Sequence, residues 1–183
     1  MKLGSRKIMG LMIAGLSLLA TLSMLEAGLR FADYPQDTSP HQRLFVEYDA
    51  TRGWRNTPGA NDYYSPTGEY RTHLQYNARG IRGTERPYSK PPDTYRIIIL
   101  GDSFTDGYSV DLEDRVSEVL EGLLDSVGFS SNPEVIALGT GGYSTDQELL
   151  WLESEGLRYQ PDLVVLMFTN NDVWYNAQPR YWR

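Results

Sequence analysis

The sequence predicts an α/β domain with a parallel sheet, preceded by a transmembrane helix and a small β-rich segment. Three observations support this fold class. From residue 95 on, strand-like apolar runs alternate with helix-like segments. An uncharged apolar run occupies residues 8–25. Between them, residues 46–92 are rich in Tyr, Gly, Asn, Arg and Pro, a composition that favours turns and short strands.

The apolar run at residues 8–25 nearly crosses a membrane's hydrocarbon core at about 1.5 Å per residue. Lys2, Arg6 and Lys7 precede it, and the positive-inside rule keeps such an end in the cytoplasm. No small-x-small cleavage site closes the run, so we predict an uncleaved anchor rather than a cleaved signal peptide. The predicted location is the cell membrane, as a single-pass protein whose main domain is extracytoplasmic, either periplasmic or external.

These patterns divide the chain into three parts. Residues 1–34 form the membrane anchor and its flank, and residues 35–94 form a linker and a small β-rich appendage. Residues 95–183 form the beginning of the α/β domain. Within the appendage, a short strand is predicted near residues 69–76, followed by a turn at Asn77–Gly80.

Three strands and two helices are predicted in the last part. The strands are the apolar runs "YRIIIL", "EVIAL" and "LVVLMF". The first helix ends at Gly128, and the second begins with Ser144 and Gln147 at the spacing of a capping box. Right-handed strand–helix–strand crossovers make the sheet parallel. An i, i+3, i+4, i+7 stripe predicts one buried face on the first helix, formed by Val116, Val119, Leu120, Leu123, Leu124 and Val127.

Small polar loops follow all three strands: "GDSFTDG", "GTGGYST" and "TNND". Ligands of open parallel sheets bind at this carboxyl edge. Ser103 lies in the first loop, where Gly101 permits a tight turn that exposes the hydroxyl. A serine that attacks an ester creates an oxyanion, which needs hydrogen-bond donors held in place. The candidate donors are the N–H groups of Ser103 and Gly142 and the side-chain amide of Asn171.

These loops resemble the first three sequence blocks of the SGNH or GDSL hydrolases. "GDSF" at residues 101–104 matches the first block, and "LGTGGYSTDQE" at 138–148 is similar to the second. "TNND" at 169–172 resembles the third, with Thr169 where the family commonly has glycine. The resemblance covers roughly residues 95–176. It implies a flavodoxin-like, three-layer α/β/α fold with five parallel strands, of which this chain supplies only the first three.

The resemblance also implies a function, a serine ester hydrolase that works through an acyl-enzyme. It makes Ser103 the nucleophile and places Gly142 and Asn171 in the oxyanion hole. We predict neither a cofactor nor a metal ion. The anchor and the Tyr-rich segment are similar to those of membrane-tethered members whose catalytic domain is extracytoplasmic. Family and location together allow carbohydrate or lipid acyl esters as substrates, with hydrolysis or acyl transfer as the reaction.

The family's fourth block, Asp-x-x-His, supplies the catalytic base and is missing here. The two histidines, His41 and His73, both precede Ser103. The third strand is expected to be a bare apolar edge, which natural sheets avoid. Both deficits predict that this chain is the front part of a longer protein, as a truncated sequence or the product of a disrupted gene.

Two other functions stay open. The first is a non-catalytic, membrane-tethered binding protein or decayed gene product that keeps the oxyanion pocket. The second is a flavodoxin-like phosphate or FMN binder, which leaves Gly142 and Asn171 without a purpose. Each site residue also has a structural explanation, with Ser103 as a helix cap, Gly142 as a turn residue and Asn171 in an Asx-turn.

Composition narrows the choice of partners. The chain is 40% apolar and 22% charged, as is typical of folded proteins. It has no cysteine, which excludes disulfides, thiolate nucleophiles and cysteine metal sites. A net charge of −7 without a basic cluster beyond the first residues argues against nucleic acid. The predicted partners are a small-molecule or polysaccharide ester and, through the N-terminal helix, the membrane.

Overall fold

The computed structural model describes residues 4–31, 45–66 and 70–176. The chain divides into two compact units, Met1–Thr38 and Ser39–Arg183. The first ten residues of the predicted linker, 35–44, which include His41, lie outside the described residues. The three-part division at residues 34/35 and 94/95 stays a prediction.

The first unit contains helix α1, Ser5–Phe31. Its Lys7–Phe31 stretch is long and apolar enough to cross a membrane. A signal sequence near the N-terminus passes the same test of length and composition. The helix therefore fits both of the alternatives that the sequence raised.

The second unit begins with two antiparallel strand pairs. Strand β1 (Val46–Asp49) pairs with β2 (Gly53–Asn56), and β3 (Asn61–Tyr64) pairs with β4 (Thr72–Gln75). The short strand predicted near residues 69–76 is confirmed as β4. The turn that follows is also confirmed, because the N–H of the last turn residue donates to the carbonyl of the first at 3.0 Å.

A three-stranded parallel sheet forms the centre of this unit. Strand β5 (Thr94–Gly101) lies between β6 (Asn132–Gly139) and β7 (Leu163–Leu166). The order β6-β5-β7 matches the first three strands of a flavodoxin-like sheet. The predicted fold class, an incomplete flavodoxin-like α/β sheet, is confirmed.

Helices cover both faces of the sheet. In chain order they are α2 (Ser103–Asp106), α3 (Val116–Ser126), α4 (Thr145–Ser154) and α5 (Asn170–Asn176). Two 3-10 turns, Leu112–Asp114 and Gly156–Tyr159, precede α3 and follow α4. The capping box predicted at the start of α4 is confirmed, with Ser144 N donating to Gln147 Oε1 at 3.2 Å.

The alternation of side chains along β5 builds two cores. Ile98 faces one side of the sheet and packs in a cluster with Trp151 of α4. Ile97 faces the other side, where Leu120 and Leu124 of α3 cover the sheet. The result is the three-layer arrangement that the sequence predicted.

The apolar stripe of α3 is only partly buried, so the prediction of one buried face is wrong for most of it. Leu120 and Leu124 contact the sheet. The other four side chains are between 37% and 76% exposed: Val116, Val119, Leu123 and Val127. The described sheet is three strands wide, so only the middle of the stripe has sheet beneath it.

Strand β7 is an edge of the described sheet, as predicted. It pairs with β5 on one side. Among the described residues, no strand pairs with its other side. Leu163, Val164 and Leu166 are between 39% and 48% exposed. An apolar strand with an open hydrogen-bonding edge is a feature that folded proteins usually cover.

Candidate active site

Ser103 is the first residue of α2, directly beyond the end of β5. The helix cap is Asp102, whose Oδ1 accepts a hydrogen bond from Phe104 N at 3.0 Å. The explanation of Ser103 as the cap is therefore wrong. The helix makes a single turn, closed by a 2.9 Å bond from Gly107 N to Ser103 O. Ser103 is half-buried and Phe104 is 71% exposed, so the turn lies at the surface.

Two glycines let α2 lie directly against the ends of the strands. A Cβ at Gly139, the last residue of β6, would lie 2.2 Å from Asp106 N. A Cβ at Gly101 would lie 2.0 Å from Thr105 Oγ1. Real side chains do not tolerate either distance, so the position of the turn that carries Ser103 depends on both glycines.

Asp102 joins the first loop to the third. Its Oδ2 accepts hydrogen bonds from Thr169 Oγ1 at 3.0 Å and from Asn171 Nδ2 at 2.9 Å. The Thr169 hydroxyl also contacts Asn171 Oδ1. The side-chain amide of Asn171 is thus held at both its Nδ2 and its Oδ1. The carboxylate of Asp102 connects it to the turn that carries Ser103.

Asp172 holds the third loop in shape. This buried side chain accepts a hydrogen bond from Thr169 N through Oδ2 at 2.7 Å. In return, Asp172 N donates to Thr169 O at 3.2 Å. Burial raises the pKa of the Asp172 carboxyl, and the nearby charge of Asp102 raises it further. These reciprocal bonds set the entry to α5 and therefore the direction of the Asn171 side chain.

Gly142 lies in a tight turn after β6, closed by a 3.2 Å bond from Tyr143 N to Thr140 O. Its φ of 79° is the left-handed conformation that glycine adopts without steric cost. Trp54 of β2 braces this turn, because its Nε1 donates to Gly141 O at 3.0 Å. The Tyr143 hydroxyl donates to the carbonyl of Trp54 at 2.5 Å. The N-terminal β-rich segment thus supports the loop that carries Gly142.

The structure places Ser103, Gly142 and Asn171 at the same carboxyl edge of the sheet, beyond the ends of three neighbouring strands. Ser103 and Asn171 are connected through Asp102. The loop of Gly142 contacts the first loop through its backbone, where Thr140 N lies 3.4 Å from Gly101 O. The catalytic roles of the three residues stay predictions.

Two buried amides attach the β-rich segment to this edge, and no pattern in the sequence predicts either contact. Asn56 Nδ2 donates to Gly139 O at 2.8 Å and to Gly80 O at 3.2 Å. Gln147 Nε2 donates to Arg52 O at 2.7 Å. Isolated polar residues in a turn-rich segment follow no periodicity, so only the tertiary structure shows what they contact.

A network of buried polar side chains contacts α2 and the backbone that follows it. Asp106 accepts a 2.8 Å hydrogen bond from the Tyr76 hydroxyl. Arg82 donates through Nη2 to Val110 O at 2.8 Å, and Arg115 donates through Nε to Thr105 O at 3.1 Å. Desolvation raises the pKa of Asp106 to about 6, although the two arginines and Tyr76 oppose that rise. Tyr76 and Arg82 also belong to the N-terminal segment.

A second buried carboxyl, Glu148 of α4, lies close to the third loop. Burial, together with the nearby charges of Asp172, Asp102 and Asp146, raises the pKa of Glu148 to about 8. Neither of its side-chain oxygens has a hydrogen-bond partner among residues 4–31, 45–66 and 70–176. Glu148 is therefore largely uncharged at neutral pH.

A groove of about 410 Å³ opens beside Ser103. This volume falls within the range of small-molecule sites. Asp114 is among the polar groups at its wall, but most of the lining is apolar. The apolar lining residues include Phe104, Val110, Val116 and Val119. Val116 and Val119, at the start of α3, are exposed in part because they line this groove.

The part of the chain that the structure describes places no histidine at this edge. His73 is an exposed residue of β4, where its Nε2 lies 2.6 Å from Asn61 Oδ1 and its ring packs against Tyr63. No group of three or more acidic or histidine side chains in the described ranges is arranged to hold a metal ion.

Residues 99–183 match the model of the GDSL-like lipase/acylhydrolase family. A comparison with curated proteins found no match. Three solved structures are similar to part of the chain. The first is the SGNH-hydrolase family esterase AlinE4, 26% identical with a TM-score of 0.41 over 50% of this chain and 48% of that chain.

The second is a lipase/acylhydrolase from Enterococcus faecalis, 28% identical with a TM-score of 0.35 over 39% of this chain and 37% of that chain. The third is the acetyl xylan esterase AlAXEase, 30% identical with a TM-score of 0.36 over 45% of this chain and 40% of that chain. The chain spans less than half the length of each. Residues 99–183, which carry the three loops in order at one edge of the sheet, thus match the GDSL-like lipase/acylhydrolase family, in agreement with the resemblance to the SGNH/GDSL hydrolases that the sequence indicated.

Proposed function

We propose that this chain carries the nucleophile half of a membrane-anchored, extracytoplasmic serine ester hydrolase. Ser103 is the nucleophile, and Gly142 and Asn171 form the oxyanion hole. The observation that carries the proposal is the pair of bonds from Thr169 and Asn171 to Asp102, which fixes the third loop beside the nucleophile turn.

In the proposed reaction, Ser103 Oγ attacks the ester carbonyl carbon and its proton passes to a general base. The oxyanion accepts hydrogen bonds from the N–H groups of Ser103 and Gly142. The Asn171 amide has two N–H groups, and the bond to Asp102 uses one. The other N–H serves the oxyanion. Collapse expels the alcohol and leaves an acyl-enzyme, which water then hydrolyses.

The substrates that we propose are acyl esters of carbohydrates or lipids. The groove beside Ser103 supports this proposal because its mostly apolar wall suits an acyl chain. Water or a second alcohol receives the acyl group, giving hydrolysis or acyl transfer. No residue is proposed as the general base. Both histidines of the sequence precede Ser103, and His73, the one that the structure describes, is an exposed residue of β4.

A fluorophosphonate probe tests the nucleophile without requiring turnover. The full chain is incubated with the probe in a mild detergent, with and without imidazole as an external base, and is digested for mass spectrometry. We expect phosphonylation of the Ser103 peptide, with loss of fluoride. Ser103→Ala abolishes it. The matched control is Ser109→Ala, which removes an exposed hydroxyl from the same groove and leaves the labelling of Ser103 unchanged.

The imidazole arm separates the proposal from the non-catalytic binding protein. Labelling of Ser103 without imidazole means that the chain activates its own nucleophile. Labelling only with imidazole means a formed oxyanion pocket without an internal base, the alternative that the position of the two histidines favours. No labelling of Ser103 in either arm contradicts the proposed nucleophile.

A further inference from the structure

The groove beside Ser103 offers charge as well as apolar surface. Of the described residues that line it, two are charged, Asp114 and Arg115. They are neighbours at the junction of the 3-10 turn Leu112–Asp114 with α3, and the extended backbone of Arg115 joins the two elements. Asp114 is exposed, whereas Arg115 is only 1% exposed. The charge that a substrate meets in the groove therefore depends on where the Arg115 guanidinium is directed.

The guanidinium of Arg115 is directed into the protein. Each of its three nitrogens donates to a backbone carbonyl: Nε to Thr105 O at 3.1 Å, Nη2 to Ala137 O at 3.1 Å and Nη1 to Arg82 O at 2.8 Å. Burial lowers the pKa of Arg115, and the charge of Asp106 opposes that fall. The positive charge of Arg115 is therefore held inside the fold and is not presented to the groove.

Asp114 gives the groove a negative charge, and an exposed aromatic ring lines the same groove. The turn that carries Asp114 is fixed by its own N–H, which donates to Asp111 O at 3.1 Å. Phe104, the residue after Ser103, is 71% exposed. A carboxylate attracts a cation directly, and the face of an aromatic ring attracts it as well. Together with the net charge of −7 of the chain, these two groups favour a positively charged ligand.

We propose that Asp114 is a specificity-determining residue, which selects esters that carry a positive charge over neutral and anionic esters. This proposal rests on the proposed function of Ser103. While the ester carbonyl lies at Ser103, the cationic group of the substrate lies against the Asp114 carboxylate. An anionic ester is repelled by the same carboxylate. The Arg115 guanidinium does not turn to meet that anion, because turning would leave three buried carbonyls without their donor.

The test compares three fluorophosphonates that differ only at the end of one short alkyl arm, which carries a trimethylammonium, a neutral tert-butyl or a carboxylate group. In the full chain with imidazole, Ser103 Oγ displaces fluoride from phosphorus and its proton passes to imidazole. We expect the wild type to be labelled about tenfold faster by the trimethylammonium probe than by its tert-butyl isostere, as for one pair of unit charges near a protein surface. Labelling by the carboxylate probe is expected to be the slowest. Raising the salt from about 0.05 M to about 0.5 M reduces the preference, because salt screens exposed charges.

Asp114→Asn is expected to bring the rates with the two isosteres to within about twofold, whereas Asp114→Glu keeps the charge and the preference. The matched control is Asp111→Asn, which removes the same charge from an exposed residue of the same segment and is expected to behave as the wild type. Equal rates of the wild type with the two isosteres overturn the role of Asp114 and leave the nucleophile intact. A preference that survives in Asp114→Asn, or an equal loss in Asp111→Asn, also overturns it. If no probe labels Ser103 in the wild type, the proposed function fails as well.

Discussion

At the residue scale, the contacts of Asp102 show why an acidic side chain precedes Ser103. Its carboxylate accepts from the Phe104 backbone, the Thr169 hydroxyl and the Asn171 amide. A carboxylate only accepts, so all three contacts are matched. An asparagine of the same shape would present its NH2 to donors. The residue that caps α2 is therefore also the one that orients the candidate oxyanion amide.

Glu148 is expected to make the stability of the fold depend on pH. Its pKa rises from 4.5 to about 8 in the folded chain, so the native state binds a proton that the unfolded state releases. The free energy of unfolding therefore falls as pH rises through this window, by at most about 1.4 kcal/mol per pH unit. Asp106, with a pKa of about 6, titrates mainly below pH 7. Glu148→Gln is expected to flatten the slope between pH 6.5 and about 8.5.

Urea unfolding of the full chain across this pH range measures that slope. The control is Glu153→Gln, which removes the same charge from an exposed position on the same helix. The control is expected to keep the slope of the wild type. An unchanged slope in Glu148→Gln would show that this carboxyl ionises in the folded chain as it does in the unfolded one.

At the element scale, the two N-terminal strand pairs act as a support for the carboxyl edge of the sheet. β2 contributes Trp54 to the turn of Gly142 and Asn56 to the end of β6. Arg82, after the turn that follows β4, holds the backbone beyond α2. Each of these contacts joins a side chain to a backbone carbonyl that lies outside any strand ladder or at its end. Such carbonyls need a partner when they are buried.

Asn56→Ala is expected to destabilise the fold by about 2 kcal/mol, because it leaves the carbonyls of Gly80 and Gly139 without their buried donor. Chemical denaturation of the full chain measures the loss. Asn132→Ala, at an exposed position at the start of β6, serves as the control and is expected to cost little. Hydrogen exchange at residues 139–143 is expected to rise in Asn56→Ala alone. Equal stability of the two variants would mean that the support is not energetically important.

At the scale of the whole molecule, the strands of the parallel sheet are buried to very different extents. β5 is covered on both faces and paired on both sides, whereas β7 exposes apolar side chains at an open edge. Most of the stripe on α3 is exposed as well. The chain spans less than half the length of the solved structures it resembles.

The absence of cysteine makes the proposed membrane topology directly testable. Gly4→Cys and Ser130→Cys each introduce one thiol at an exposed position, before α1 and after α3. With an impermeant maleimide on intact cells or spheroplasts, we expect labelling of Ser130→Cys and protection of Gly4→Cys until the membrane is opened. The reverse pattern would contradict the proposed orientation. Loss of the Gly4→Cys thiol from the mature protein, detected by intact mass, would instead indicate a cleaved signal peptide.

The sequence by itself determined the three strands of the parallel sheet, the two longer helices between them and their order, because hydrophobic periodicity is a local property. It also located Ser103, Gly142 and Asn171, since each follows an apolar strand and parallel strands end at the same edge. The capping box of α4 was equally readable, as both partners lie within four residues.

Only the tertiary structure decided how those three residues are held. The bonds of Asp102 to the third loop and of Trp54 to the turn of Gly142 follow no sequence periodicity. Burial decided the protonation of Glu148, a residue that looks like an ordinary helix surface position in the sequence. The physical reason is the same in each case. Hydrogen bonds and desolvation depend on which distant groups share a low-dielectric space, and the chain sets that only when it packs.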